Sequence, residues 1–165
     1  MNTAFTVAAG QIIASSMVSL FALIDGLQFE RYFGRALDIR EGSVVPLFDK
    51  YPDSRIAFAG PWLIDMQQNM SFSETLIELE HQLPSVSWIL SGQTFPKLLE
   101  HLQQNLNVEL PDGQIALLRF QDPRVQIRIS ELLNEYQHCV LTRDIVGWFS
   151  TVEGTVYSLK QKEFI

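Results

Sequence analysis

The chain has 165 residues, 47% of them apolar and 19% charged, and its 12 basic and 19 acidic side chains leave a net charge of −7. That length suits one domain with a proper core, and the composition is that of a globular protein. The acidic balance argues against a nucleic-acid partner, which needs a basic face. The surplus is concentrated between Ile56 and Leu118, where seven acidic residues stand against Lys97 alone. A solvated face accounts for this, as would a face that steers a basic partner. Cys139 is the single cysteine, which excludes an internal disulfide framework and fits a reducing compartment.

Met1 to Ile24 carry no charge. No basic residue opens this stretch, and Asn2, Thr3, Gln11, Ser15 and Ser16 interrupt it, so neither a signal peptide nor membrane insertion is expected. An N-terminal helix or arm over residues 1–16 is expected instead, leading into a core over residues 17–160. An apolar arm that docks on a partner is the other reading of the same residues.

Val18 to Ile24 reads as a buried strand, and Leu27 to Leu37 as a helix with a broad apolar face. Val44 to Phe48 and Ile56 to Ala59 read as short strands, the second broken by Gly60-Pro61 and resumed at Trp62 to Met66. Ser71 and Glu74 have capping-box spacing for a helix from Phe72 to about Leu83, which Pro84 ends. Val86 to Leu90 is the next strand. Thr94 is the expected N-cap of a helix from Phe95 to Asn105.

Asn107 to Leu110 and Gln114 to Phe120 form a hairpin about Pro111-Asp112-Gly113, where proline presets φ and glycine takes a positive one. Ile115 to Leu118 is an unbroken apolar run, as for a strand covered on both faces. Asp122-Pro123 then has the pattern of an N-cap followed by proline at the first helical position. The helix it opens is expected to bury Val125, Ile129, Leu132, Leu133 and Tyr136. Ile145 to Val152 and Thr155 to Leu159 close the chain as a hairpin turned at Glu153-Gly154. With no linker or repeat, the whole reads as one α/β (α+β) domain over residues 1–165, a mixed sheet with helices packed on it and hairpins at the C-terminal end.

Motifs for catalysis are absent from the sequence. No two of His81, His101 and His138 have metal-ligand spacing. His138 and Cys139 are neighbours that point apart, so Cys139 reads as an ordinary small buried residue. Nothing matches a nucleophile elbow or a phosphate-binding glycine loop, and no cofactor is expected. Asp25, at a strand end, and Asp122 read as helix N-caps, with an acid–base pair as the alternative. Arg119 and Arg124 flank Asp122 and are read as bracing it and Asp25. The alternative is that one guanidinium faces outward to grip a partner. Trp62, Trp88 and Trp148 read as core, with Trp148 or Phe149 as possible interface anchors.

The run from Asp112 to Val125, "D-G-x-x-x-L-L-R-F-x-D-P-R-V", resembles the signature of the adaptors that load effectors onto the type VI secretion spike. Phe21-Ala22-Leu23-Ile24-Asp25-Gly26 is similar to that family's opening strand, and Gly60-Pro61-Trp62-Leu63 to its "G-P-x-L" element. Trp88 to Gly92 and His101-Leu102 resemble its middle strand and following helix. The likeness spans about Leu20 to Tyr157. It implies a non-enzymatic cytoplasmic chaperone that binds the N-terminal segment of a secreted toxin effector and brings it to the VgrG spike protein. The site residues it points to, for partner binding or for holding the motif, are Asp25, Trp62, Arg119, Asp122 and Arg124. Many family members carry a further C-terminal region, whose contribution would here be missing or supplied by another polypeptide. The alternative function is a small acidic immunity protein that neutralises a cognate toxin.

Overall fold

Residues 2–50 and 52–165 are described by a computed structural model. Met1, the first residue of the expected N-terminal arm, lies outside them. The strands are β1 (Ser19–Asp25), β2 (Val44–Pro46), β3 (Pro61–Asp65), β4 (Val86–Ser91), β5 (Asn107–Glu109), β6 (Ile115–Leu117), β7 (Ile145–Val152), β8 (Thr155–Ser158) and β9 (Glu163–Phe164). The helices are α1 (Ala4–Ala14), α2 (Gly26–Phe33), α3 (Ser73–Gln82), α4 (Phe95–Gln104), α5 (Pro123–Leu132) and α6 (Glu135–Leu141).

Seven strands form one sheet in the order β2-β3-β1-β4-β7-β8-β9, and β5 and β6 form a separate pair. The expected fold class holds, and every ladder between the named strands is antiparallel. The central strands are nearly continuous apolar runs because both faces of the sheet are covered. Alternate residues serve the two sides. Phe21, Leu23, Leu63, Ile89 and Trp148 meet α4, α5 and α6. Leu20, Ala22, Ile24, Trp62, Ile64, Trp88 and Phe149 meet α1, α2 and α3.

The uncharged N-terminus is indeed a helix, docked on its own sheet. Ala4 and Ala8 are fully buried, and Phe5 meets the Trp88 ring edge-on at 4.9 Å. The start of α1 is tied to a buried carboxylate that the sequence reading missed. Glu80 of α3 accepts hydrogen bonds from Trp88 Nε1 at 2.7 Å, Thr151 Oγ1 at 2.6 Å and the Phe5 amide at 3.4 Å. Thr151 Oγ1 in turn accepts from the Ala4 amide at 3.0 Å. The orphan amides of the first turn of α1 thus find acceptors beside a negative charge, where the helix dipole favours one.

Several local expectations are corrected. Asp53–Ala59 is a 3-10 segment and not a strand, and β3 starts at Pro61. The helix expected to reach Leu37 ends at Phe33, because Gly34 takes the left-handed conformation that closes it. No capping box forms at Ser71 and Glu74: a 3-10 turn over Met70–Phe72 leads into α3 without a side-chain cap. Thr94 stands at the N-cap of α4 but makes no side-chain cap hydrogen bond.

The helix expected beyond Leu133 is two helices. Asn134 and Gln137 form a capping box that opens α6, and the change of direction leaves Leu132 and Tyr136 exposed. Ile115 to Leu118 is not covered on both faces, since Ile115 is 68% and Leu117 43% exposed. Cys139 is exposed where a buried one was expected. Trp148 and Phe149 are core residues, which removes them as interface anchors.

Candidate functional site

The junction from Leu118 to Arg124 is built in layers. Below it, Phe120 is fully buried and meets Trp148 edge-on at 5.6 Å. Gln126 of α5 donates to the Phe120 carbonyl at 2.8 Å and accepts from Ser150 Oγ of β7 at 2.9 Å. One buried amide therefore fixes α5 both to the junction and to the sheet. Sequence reasoning missed Gln126. Its only local signal is a polar residue four places after the cap, on the same side of α5 as Ile129.

Asp122 caps α5 as expected: its Oδ1 accepts from the Arg124 amide at 3.0 Å. Arg124 closes back on the same carboxylate, with Nε at 3.1 Å from Oδ1 and Nη2 at 2.9 Å from Oδ2. That is the bidentate geometry in which guanidinium recognition is strongest. Asp25 caps α2 from the end of β1, its Oδ1 accepting from the Leu27 and Gln28 amides. The fold brings the two caps into electrostatic reach of each other and of Arg119 and Arg124.

Burial of Asp25, reinforced by the negative charge of Asp122, outweighs the amide hydrogen bonds and Arg119, and holds the Asp25 carboxyl above its ordinary value. A carboxyl with a raised folded-state pKa stabilises the fold most below the unfolded value of 3.8. That contribution falls as pH rises through the folded value. Asp25→Asn keeps a capping oxygen and removes the charge. The variant is therefore expected to gain stability relative to the parent as pH rises from 3 to 7, as read by urea denaturation across that range. A constant difference would show that the charge at Asp25 carries no net cost.

Trp62 lies inside the fold. It is 2% exposed, and its indole donates to the Phe58 carbonyl at 3.1 Å. The Gly26 amide donates to the Gly60 carbonyl at 2.8 Å, so Asp25-Gly26 and Gly60-Pro61-Trp62 are physically one unit. Of the five site residues expected, Asp25 and Asp122 are buried caps, Arg124 is an ion-pair partner, Trp62 is core and Arg119 is exposed.

Arg119 opens onto a solvent-facing concavity of this region. A groove of about 540 Å³ runs between β6 and α5. Its floor is Leu118 and Ile129, which are buried, and its walls include Leu117, Val125 and Leu132. Arg119, Arg128 and Glu131 stand at its rim. The guanidinium groups of Arg119 and Arg128 make neither a hydrogen bond nor a close ion pair among the described residues, although Arg119 lies within the field of Asp25. The walls are apolar and the rim carries two guanidinium groups against one carboxylate, so the groove suits an apolar segment bearing a carboxylate.

The family model described as "Domain of unknown function (DUF4123)" matches residues 20–139, from β1 through most of α6. The chain belongs to the DUF4123 family. No curated protein matches the chain, and no solved structure does. The DUF4123 match takes in both caps, Trp62, the groove and both rim arginines. It leaves α1 and the β7–β8 hairpin outside, although the sheet runs on through that hairpin. No helix among the described residues is long and apolar enough to cross a membrane.

Proposed function

We propose that this DUF4123 protein is a cytoplasmic adaptor and chaperone. It holds the N-terminal segment of a type VI secretion effector and promotes the loading of that effector onto the VgrG spike. The observation that carries the reading is the open apolar groove between β6 and α5, braced from behind by Gln126 and the Asp122–Arg124 pair. A rigid concavity with exposed apolar walls can cover a segment that would otherwise aggregate. The motif resemblance set out above gives that segment its identity.

The alternative of an acid–base pair at Asp25 and Asp122 is less favoured, because the capping oxygens are already engaged. Oδ1 of Asp25 accepts two amides, and both oxygens of Asp122 are taken by the Arg124 amide and guanidinium. We therefore read the protein as a binding protein and not an enzyme.

Co-expression with the toxin encoded beside the gene tests the reading. The toxin is expected to co-purify through its N-terminal segment with its activity intact, and its secretion is expected to fall when the adaptor gene is deleted. Binding to the toxic domain with loss of toxicity would replace this reading with the immunity-protein alternative. Secretion unchanged by the deletion would overturn it.

A further inference from the structure

The small sheet has an edge with no strand paired to it among the described residues. Leu118 donates to Leu106 and Leu110 donates to Gln114 across the β5–β6 hairpin, in the register that pairs Val108 with Ala116. In an antiparallel pair the bonded and non-bonded residues alternate, so Ile115 and Leu117 turn their N–H and C=O groups away from β5. No other strand pairs with β6 among the described residues. The opposite edge is partly blunted, because Gln137 of α6 donates to the Glu109 carbonyl at 3.1 Å. A free strand edge with exposed apolar side chains templates pairing with another chain, and this one opens directly onto the groove.

Resting on the binding role above, we propose that the free edge of β6 accepts an extended peptide as a third strand of the small sheet, with apolar side chains in the β6–α5 groove and a carboxylate between Arg119 and Arg128. Main-chain bonds to Ile115 and Leu117 hold the segment, and the pockets select alternate side chains, as in other strand additions. Charge decides the partner's chemistry. The rim carries two guanidinium groups without a hydrogen bond or close ion pair among the described residues, one of them, Arg119, also in the field of the buried Asp25, against the single rim carboxylate of Glu131. The net charge of −7 repels an acidic partner at long range, but screening confines such forces to about 8 Å at physiological ionic strength. Within that range the arginines prevail. The acidic surplus elsewhere on the chain does not select the occupant of this groove.

Random dodecapeptides displayed on phage and panned against the full-length protein provide the test. The expected clones alternate apolar residues and carry at least one Asp or Glu. A synthetic peptide of the strongest clone is expected to bind at least ten-fold more weakly to Leu117→Pro, which removes an outward N–H and leaves the bonds to β5 in place. The double variant Arg119→Glu with Arg128→Glu is expected to weaken it by a similar factor. The same peptide N-methylated at alternate backbone positions is expected to lose binding to the unaltered protein, so the result stands even where Leu117→Pro fails to fold. Recovery of basic or helix-patterned clones, of no clones, or of clones indifferent to N-methylation would overturn the proposal. So would a dimer that Leu117→Pro converts to monomer, since a second copy would then occupy the edge. A toxin that co-purifies equally well with a folded Leu117→Pro variant would refute strand addition and leave the adaptor reading standing, whereas a toxin that never co-purifies refutes the adaptor reading itself.

Discussion

Gly26→Ala is expected to destabilise the fold by at least about 2 kcal/mol, against the usual direction for a helix, where the same change gains up to about 1 kcal/mol. The reason is the seam between the two motif segments. A Cβ on Gly26 would collide with the Phe58 carbonyl oxygen, and would meet Trp62 Nε1 at 2.7 Å and the Gly60 carbonyl oxygen at 2.8 Å. None of these can give way cheaply. Trp62 Nε1 is bonded to that same Phe58 carbonyl, and the Gly60 carbonyl accepts from the Gly26 amide. Gly60 is itself pressed against the Phe48 ring, so moving its backbone disturbs the core on the far side. Gly10→Ala in α1 is the matched control, because nothing lies within 4 Å of the Cβ it would add; it is expected to be neutral or stabilising. Urea denaturation of the two variants beside the parent decides the matter. Equal, small effects would show that the seam opens without cost and that Asp25-Gly26 and Gly60-Pro61 are joined only loosely.

That seam also shows what the sequence made legible. Asp25-Gly26, Gly60-Pro61 and Asp122-Pro123 each announce local chemistry: a cap, a strand break, and a cap with proline at the first position. The two caps form as the residue types require, whereas Gly60-Pro61 breaks no strand and instead joins the 3-10 segment to the start of β3. The β7–β8 hairpin was equally plain, since Glu153 and Gly154 take the positive φ that its turn demands. What local pattern could not show is which segments meet. Nothing in the chain places Glu80 under the first turn of α1, 75 residues from Phe5.

The Ile115 to Leu118 run was misread for a related reason. Four consecutive apolar residues look the same whether a second layer covers them or solvent does. Only the topology, with β5 and β6 outside the main sheet, reveals an open edge. The break between α5 and α6 was within reach, because Asn134 and Gln137 stand at capping-box spacing. The apolar stripe through Leu132, Leu133 and Tyr136 masked it.

Glu80→Ala is expected to cost about 3 kcal/mol, the upper end for loss of hydrogen bonds to a charged group, because one carboxylate serves three donors. The carboxylate is 6% exposed and is the acceptor for the Trp88 indole, the Thr151 hydroxyl and the Phe5 amide. Without it the Trp88 N–H stays in the core with no acceptor, and such an unsatisfied group costs about 1–3 kcal/mol by itself. Glu80→Gln should cost less. Its carbonyl oxygen still serves the indole, and the Thr151 hydroxyl can turn to accept from the new amide. The two variants therefore separate hydrogen bonding from charge, and hydrogen exchange locates the effect. In Glu80→Ala the amides of α1 are expected to lose protection before those of β1 and β4, because the helix loses the acceptor at its first turn while the sheet keeps its ladders. Uniform loss of protection across the sheet would instead make α1 an integral part of the core. The network would then hold the whole domain together and not only its N-terminal helix.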